Sequence, residues 1–320
     1  MKAAYRARYC QPEQLAVREV PDPKPAADQL LVRVRATTVN RTDCAVLTAK
    51  PFIMRFFIGF FKPKLPVPGT DFAGEIVAVG SSVTQFKPGD RVFGFNDKGL
   101  ASQAELMAIA VNAPLAKIPD GITFEQAAAS LEAAHYAYNF VNKLRLAAGQ
   151  NVLVNGASGG IGSALVQILK HFGVTVTAVC NSKNIERVRA LGAAKVIDYE
   201  REDFTRLTEK FDFVLDAVGK STFGKCKHLL KDKGSYLSSE LGPGAQNIFL
   251  PLITALFGGK RVKFPIPFDI KASITFISSL LTSGAFKPVI DRTYPLADIA
   301  AAYSYVMTGQ KTGNVVILYG

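Results

Sequence analysis

The chain has 320 residues, about twice the usual size of one domain, which predicts two domains. Hydrophobic residues make up 48% and charged residues 20%, a balance that supplies apolar cores and excludes a disordered chain. The formal net charge of +12 suits nucleic acid, an anionic membrane or an anionic small ligand, so charge alone selects no partner.

Up to about residue 120 the sequence predicts a small, mainly β domain. Short strand-like segments alternate there with turns rich in proline and glycine. The predicted strands are Met1–Tyr5, Gln29–Thr37, Ala73–Val79 and Asp90–Phe93.

From about Thr123 the sequence changes to a regular alternation of helices and strands, which opens with an alanine-rich helix over Glu125–Val141. Its predicted strands are Asn151–Val154, Val174–Val179, Ala194–Ile197, Phe211–Ala217 and Gly234–Leu237, and its predicted helices are Gly160–Phe172 and Asn184–Leu191. The apolar runs are too continuous for a sheet with one face in water. They predict a parallel sheet covered by helices on both faces.

The end of the chain predicts one further helix, Leu296–Met307, and a last strand, Asn314–Leu318. We expect this strand to return to the first domain, which makes the second domain an insertion. The predicted boundaries are residues 1–122 with 288–320 for the first domain and 123–287 for the second.

Neither a membrane span nor a disulfide framework is predicted. The longest apolar stretch, Ile248–Phe257, has about half of the roughly 20 residues that a transmembrane helix needs, and no apolar signal segment follows Met1. The four cysteines lie far apart and form no C-x-x-C pair, which favours free thiols in a reducing compartment. We therefore expect a soluble, cytoplasmic protein.

The most specific motif is the glycine loop Gly156-Ala157-Ser158-Gly159-Gly160-Ile161-Gly162, between a predicted strand and a predicted helix. Glycines permit a tight turn and a close approach of pyrophosphate to the backbone amides, and the helix N-terminus adds partial positive charge. An ordinary strand-to-helix turn is the alternative. The loop lies in a correctly spaced βαβ unit, which favours dinucleotide binding.

The end of the next strand indicates which dinucleotide is bound. An NAD site places Asp or Glu there, about 20 residues past the glycines, to hold the ribose 2′-hydroxyl. This chain has Cys180-Asn181-Ser182-Lys183, in which Ser182 can donate a hydrogen bond to a 2′-phosphate and Lys183 supplies charge. NADPH is therefore favoured; the alternative is that Ser182 caps the next helix and Lys183 is merely solvated.

A series of motifs runs along essentially the whole chain. They are Val39-Asn40-Arg41-Thr42-Asp43, Pro68-Gly69-Thr70-Asp71-Phe72-Ala73-Gly74, Gly89-Asp90-Arg91-Val92-Phe93-Gly94, the glycine loop, Leu191-Gly192-Ala193-Ala194 through Asp198-Tyr199, and Gly313-Asn314-Val315-Val316. In order and spacing they resemble the medium-chain dehydrogenase/reductases, in their zinc-independent, zeta-crystallin-like quinone oxidoreductase branch. The resemblance implies an α/β chain with a GroES-like mainly-β domain and an inserted Rossmann domain, whose parallel sheet is doubly wound.

The resemblance also implies a reaction, which is hydride transfer from NADPH to a quinone or to an α,β-unsaturated carbonyl compound. It implies a set of residues that contact the cofactor: Gly159, Gly160, Ile161 and Gly162 at the pyrophosphate, Ser182, Lys183 and Tyr199 around the 2′-phosphate, Val218 and Gly219 near the nicotinamide, and Asn314 from the last strand.

Zinc-dependent members of this family differ from the chain at their metal ligands. They carry a catalytic Cys where this chain has Asn40, and Gly-His-Glu where it has Gly69-Thr70-Asp71. Residues 94–121, where those members have a cysteine-rich lobe, contain no cysteine, and the three histidines are scattered, so no metal is predicted. By the resemblance Asn40 orients the substrate or the nicotinamide; the alternative is an Asn that holds a loop.

A second departure concerns Leu131-Glu132-Ala133-Ala134-His135-Tyr136, where quinone reductases of this type commonly have a Thr. On a helix Glu132, His135 and Tyr136 lie within one turn, and one of them can relay the proton that completes enone reduction. Together with Asn40, the candidate catalytic residues are Tyr136 and His135. The alternative is a helix start with an acid near its N-terminus and a Tyr packed by its ring.

The segment Lys50–Lys64 has five Phe, four basic residues and no acid. We interpret it as a short amphipathic helix over an apolar substrate pocket, in preference to a contact with an anionic membrane. The apolar residues of Leu250–Phe268 suit a pocket or a dimer contact, and the family often forms dimers through its nucleotide domains.

Two functions of different classes follow. The favoured one is a metal-free, NADPH-dependent reductase of a small apolar electrophile, a quinone or an enone. The alternative is a family member that uses its basic surface to bind RNA or a membrane. No RNA-binding motif is recognisable in the sequence, so nucleic acid is not the expected partner.

Overall fold

In a computed structural model, which describes residues 1–267 and 269–320, the chain divides into two compact units. The first comprises Met1–Glu132 and Asp269–Gly320, and the second comprises Ala133–Phe268. The chain thus leaves the first unit once, forms the second, and returns.

The first part of the first unit contains β1 (Lys2–Tyr5), β2 (Ala16–Glu19), β3 (Gln29–Val39), α1 (Arg41–Thr48), α2 (Arg55–Ile58), β4 (Asp71–Val79), β5 (Arg91–Phe95), β6 (Leu106–Ala110), β7 (Leu115–Lys117) and α3 (Phe124–Ala129). β1 and β2 form a two-stranded antiparallel ribbon, and β3 to β7 contribute to a larger sheet. The predicted mainly β character is confirmed.

The second unit contains α4 (Glu132–Val141), β8 (Asn151–Asn155), α5 (Gly160–His171), β9 (Thr175–Cys180), α6 (Ile185–Ala190), β10 (Lys195–Asp198), β11 (Phe211–Asp216), α7 (Phe223–Cys226), β12 (Leu230–Ser238), α8 (Gln246–Phe257) and β13 (Arg261–Lys263). All six strands pair in parallel, in the order β10-β9-β8-β11-β12-β13. The order reverses at β8, as in a doubly wound sheet, so the predicted Rossmann architecture is confirmed.

The end of the chain adds α9 (Ile270–Thr282), β14 (Ile290–Pro295), α10 (Ile299–Met307) and β15 (Asn314–Leu318) to the first unit. β15 pairs antiparallel with β3, with Val315 opposite Val39, and parallel with β14. The sheet order is β14-β15-β3-β4-β5-β7, and β6 also pairs with β3. The last strand therefore returns to the first unit, as its sequence position predicted.

The helix predicted over Glu125–Val141 is two helices, α3 and α4. α3 ends at Ser130, whose hydroxyl donates to the carbonyl of Gln126 and so competes with the helical backbone bonds. Because α3 packs against β3, β4 and β15, and α9 contacts β7, both belong to the first unit. The chain consequently passes from one unit to the other at residues 132/133 and 268/269, whereas the predicted boundaries were 122/123 and 287/288.

Among the described helices, none combines the length and the apolar character that crossing a bilayer requires. All four cysteines are free thiols, and three of them are buried. Burial raises the pKa of the Cys44 thiol to about 12, which makes it a poor nucleophile at neutral pH.

Candidate functional site

The glycine loop joins β8 to α5 through a turn that only small residues fit. Gly156 has a φ of +80°, and its amide and that of Ala157 both donate to the carbonyl of Val179, at 3.1 and 3.0 Å. A Cβ added to Gly162 would lie 2.1 Å from the carbonyl oxygen of Gly156. The first turn of α5 therefore packs directly onto the loop, which the missing side chain of Gly162 permits.

The N-terminus of α5 has no side-chain cap. Gly159 occupies the cap position, and the first amides of a helix have no carbonyl partner within it. Backbone donors and the positive end of the helix dipole thus meet at the predicted residues Gly159, Gly160, Ile161 and Gly162. This arrangement fits a pyrophosphate.

Ser182 and Lys183 lie in a short 3-10 turn after β9, beside Tyr199 at the end of β10. Ser182 does not cap α6, because Asn184 occupies the cap position and the Ser182 hydroxyl donates to Asp198 Oδ2 at 2.6 Å, so the capping part of that alternative is wrong. Its amide donates to Glu200 Oε2 at 3.2 Å. The hydrogen bond from Ser182 lowers the pKa of Asp198, so this carboxylate is charged. Cys180-Asn181-Ser182-Lys183 contains no acid, but Asp198 at the end of β10 and Glu200 just after it lie beside Ser182.

Asp216, at the end of β11, organises the loop that contains Val218 and Gly219. This fully buried carboxylate accepts five hydrogen bonds, from Asn155 Nδ2, the amides of Val218, Gly219 and Ser221, and the hydroxyl of Tyr236. Sequence reasoning did not identify this residue. Its signal was an acid at the carboxyl end of a mostly apolar central strand, three residues before Gly219.

Asn40 is buried at the N-terminus of α1, and its side chain is occupied there. Its Oδ1 accepts from the Asp43 amide at 2.9 Å, and the Asp43 carboxylate accepts from the Asn40 amide at 3.1 Å. Its Nδ2 donates to the hydroxyls of Thr38 and Thr70, at 3.3 and 3.2 Å. These bonds favour the loop-holding interpretation of Asn40.

Three buried carboxyl groups surround this asparagine network: Asp43, Asp71 and Glu132. Burial raises the pKa of Asp43 well above its ordinary value, and the neighbouring carboxyls raise it further. Burial also raises the pKa of Asp71 to about 6, although Thr38 and Thr37 donate to it. The pKa of Glu132 rises to about 7 through burial, opposed by the hydroxyl of Thr42, which donates at 2.6 Å.

His135 and Tyr136 follow Glu132 on α4. The ring of His135 is buried, and its Nε2 lies 3.3 Å from Asn139 Nδ2. Burial lowers the pKa of His135 to about 4, so the imidazole is neutral at pH 7. Tyr136 is half-buried and packs edge-to-face on His135, with ring centroids 5.6 Å apart.

The raised pKa of Glu132 predicts a pH dependence of stability. Above its ordinary pKa of 4.5 the unfolded chain loses this proton, whereas the folded chain keeps it until about pH 7. The free energy of unfolding therefore falls as pH rises through this window, by about 3 kcal/mol from this group. We expect Glu132→Gln to remove that loss, as measured by urea unfolding at several pH values. The exposed control Glu202→Gln should keep the wild-type slope, and an unchanged slope in Glu132→Gln would contradict the assignment.

Asn314 begins β15, where its side-chain Nδ2 and its amide both donate to the carbonyl of Val289, at 3.0 and 2.8 Å. Its side chain is thereby fixed in the first unit. The second unit holds the other predicted cofactor contacts.

The Phe-rich segment folds as a 3-10 turn and the short helix α2, and only part of it is a pocket wall. Phe57 and Ile58 line a cavity of about 280 Å³ in the first unit. Phe57 is itself largely exposed, and four other rings stack edge-to-face on the surface without lining the cavity: Phe52, Phe56, Phe60 and Phe61. The pocket-wall interpretation thus has support for two residues and not for these four.

The segment Leu250–Phe268 also contains both packed and exposed apolar residues. Phe268 lies outside the described residues. Leu250 packs against the core of the second unit and, with Ile253 and Phe257, lines a cavity of about 460 Å³. Leu252 and Leu256 on α8 are 72% and 83% exposed. The expected dimer contact stays a prediction.

Two family models match the chain. One, described as the alcohol dehydrogenase GroES-like domain, matches residues 26–120, and the other, described as zinc-binding dehydrogenase, matches residues 191–317. Among solved structures, the quinone oxidoreductase from Coxiella burnetii superposes with a TM-score of 0.88 at 24% identity, over 100% of this chain and 99% of that one. At that identity the match shows the fold.

Three relatives among known proteins are similar over nearly the whole chain. A 2-methylene-furan-3-one reductase of Solanum lycopersicum is 34% identical over 93% of this chain and 73% of its own length. A chloroplastic quinone-oxidoreductase homolog of Spinacia oleracea is 31% identical, over 93% and 91%. A chloroplastic NADPH-dependent alkenal/one oxidoreductase of Arabidopsis thaliana is 32% identical, over 92% and 73%.

One of the two family models is described as a zinc-binding dehydrogenase, but the residues of this chain do not fit a zinc ion. Asn40 and Thr70, at positions where zinc-dependent enzymes carry ligands, are hydrogen-bonded to each other, and amide and hydroxyl groups are not the ligands that zinc prefers. Within residues 1–267 and 269–320, no three or more His, Cys, Asp or Glu side chains are grouped so as to hold a metal. No step of the reaction is assigned to a metal.

Proposed function

The chain belongs to the medium-chain dehydrogenase/reductase superfamily, in its quinone oxidoreductase branch, and we propose that it is an NADPH-dependent reductase of quinones or α,β-unsaturated carbonyl compounds. One observation carries this proposal. The chain is similar over 92% of its length to an NADPH-dependent alkenal/one oxidoreductase, and it also has the uncapped glycine loop that a dinucleotide requires.

Bound NADPH supplies the hydride, and the chain supplies position and charge. We assign the pyrophosphate to the loop amides of Gly159 to Gly162. Lys183 supplies positive charge for the 2′-phosphate, and Ser182 would exchange its bond to Asp198 for a bond to that phosphate. The carboxyl groups of Asp198 and Glu200 lie at the same turn and oppose the phosphate, so the positive charge of Lys183 has to outweigh them. Tyr199, 54% exposed, offers its ring at the same turn.

The loop of Val218 and Gly219, held by Asp216, is the proposed wall for the nicotinamide, and Asn314 contributes from the first unit. Asn40 is proposed as a positioning residue, because its side chain caps α1 and fixes Thr70. Tyr136 is proposed as the proton donor in preference to His135, whose low pKa leaves no imidazolium at neutral pH.

The names of the three relatives bear on the location of this chain and on its alternative function. Two of the relatives are named as chloroplastic, so the cytoplasmic location expected from the sequence stays a prediction. None of the three relatives is named for RNA or membrane binding, and the alternative function gains no support from them.

The proposal is tested by following NADPH oxidation with a panel of a quinone, an enone and a simple ketone, with the metal content measured on the same sample. We expect saturable turnover with the quinone or the enone, little with the ketone, and no loss on treatment with a chelator. Stoichiometric zinc whose removal abolishes activity would contradict the metal-free assignment, and no turnover with any quinone or enone would contradict the function.

A further inference from the structure

The cavity of about 280 Å³ in the first unit has mostly apolar walls and an unusual set of charges. Its volume is near the lower end of the range for ligand pockets, which suits a small molecule. Val46, Phe57, Ile58 and Leu65 are among its apolar lining residues. It reaches Thr70, the hydroxyl that Asn40 holds, so this cavity includes the position where zinc-dependent relatives carry a metal ligand.

The charged residues in the lining are all basic: Arg6, Lys64 and Lys98. Among the residues that the structure describes, no Asp or Glu side chain lines the cavity with them. Lys64 and Lys98 are exposed, whereas Arg6 is only 3% exposed.

Arg6 is a buried cation that has no ion-pair partner within residues 1–267 and 269–320. Its Nη1 donates to the carbonyl of Val46, its guanidinium lies 5.6 Å from the ring centroid of Tyr9, and its backbone amide donates to Pro66. Among the described residues, the Nε of Arg6 has no hydrogen-bond partner, and no carboxylate oxygen lies within 4.0 Å of the guanidinium nitrogens.

A buried guanidinium without a counter-charge is costly, and an anionic ligand removes that cost. Asp43 is the carboxyl that acts on Arg6 electrostatically, but it forms no ion pair with the guanidinium, and burial raises the pKa of Asp43 well above its ordinary value. A carboxylate on the ligand would supply the missing charge and accept charge-assisted hydrogen bonds from the guanidinium.

We propose that the acceptor reduced by this protein carries a carboxylate, which Arg6, Lys64 and Lys98 bind in this cavity while its apolar walls hold the rest of the molecule. The inference rests on the proposed function and narrows its substrate class to small enone or quinone acids. Carboxylate binding places the substrate beside Thr70, and the charge of Arg6 selects acids over neutral compounds of the same shape.

The test uses a matched pair of substrates, trans-4-oxo-4-phenyl-2-butenoate and its methyl ester, which differ in one charge. For the wild type we expect a lower KM for the acid than for the ester, and a KM for the acid that rises with salt. Lys64→Gln and Lys98→Gln should each lower the acid-to-ester ratio of kcat/KM about two- to fivefold, and the double variant should lower it about tenfold.

Lys62→Gln provides the matched control, because Lys62 is an exposed lysine of the same segment that does not line the cavity. It should leave the ratio unchanged. Arg6→Gln is expected to have the largest effect on the acid-to-ester ratio of kcat/KM. If that variant does not fold, the variants of the two exposed lysines still test the inference.

A binding measurement without turnover separates charge recognition from chemistry. The saturated acid 4-oxo-4-phenylbutanoate should bind more tightly than its methyl ester by calorimetry, and the double lysine variant should lose most of that difference. Reduction of both substrates with a ratio that neither lysine variant changes would overturn this inference and leave the proposed function intact. Reduction of neither substrate, nor of the quinones and enones of the panel, would overturn both.

Discussion

Replacement of Gly162 by valine is expected to abolish measurable NADPH binding. A Cβ at this position would lie 2.1 Å from the Gly156 carbonyl oxygen and 2.8 Å from the Ala157 Cα, and both atoms belong to the backbone of the phosphate loop. Neither can move aside as a flexible side chain would, so the loop and the first turn of α5 must separate. We expect the Kd for NADPH to rise by a factor of more than about 100, equivalent to about 3 kcal/mol, by fluorescence titration.

The matched control is Gly224→Val in α7. A Cβ at Gly224 would meet only Thr222 Oγ1, at 3.9 Å, so the substitution adds volume to a glycine of the same unit without a backbone clash. This variant should bind NADPH as the wild type does. Circular dichroism of both variants shows whether the unit is still folded. A folded Gly162→Val protein with wild-type affinity would remove the glycine loop from the proposed site.

Asp216→Ala is expected to destabilise the second unit by about 3–5 kcal/mol, because it leaves several buried donors without an acceptor. The amides of Val218, Gly219 and Ser221 lose the carboxylate that fixes their loop. NADPH affinity should fall as well, since this loop is the proposed nicotinamide wall. The free energy of unfolding from urea titration gives the first effect and NADPH titration gives the second.

Asp212→Ala on the same strand is the control, because it removes a carboxylate that does not hold the loop of Val218 and Gly219. Asp212 is partly exposed and accepts from the Asn151 amide and from Lys231 Nζ, each at 2.8 Å. Its removal should cost about 1 kcal/mol and leave NADPH affinity unchanged. Equal destabilisation by the two substitutions would show that Asp216 has no special structural role.

The features that local sequence predicts well depend on short-range periodicity. The elements from β8 to β11 and the glycine loop lie close to their predicted positions, because each strand, turn and helix there is specified within about ten residues. The helices α7 and α8 and the strand β13 were not predicted from the sequence. The break between α3 and α4 was missed, because Ser130 and Leu131 interrupt the helix without a proline or glycine to mark the break.

The features that sequence reasoning missed depend on residues that are distant along the chain. Asp198 reaches Ser182 from the neighbouring strand, so a search for an acid directly after β9 could not find it. Arg6 likewise acquires its surroundings from Val46 and Pro66, far along the chain. Such pairs become visible only when strand order and register are known.

The pairing of β15 with β3 has a consequence for synthesis on the ribosome. Until Asn314–Leu318 has been translated, the edge of β3 that β15 covers has no partner, although β4 and β6 are already available to its other residues. The inserted unit, whose last strand ends at Lys263, can complete its own sheet earlier. The second unit can therefore complete its sheet before the first unit does, and we expect the uncovered β3 edge to depend on chaperones during that interval.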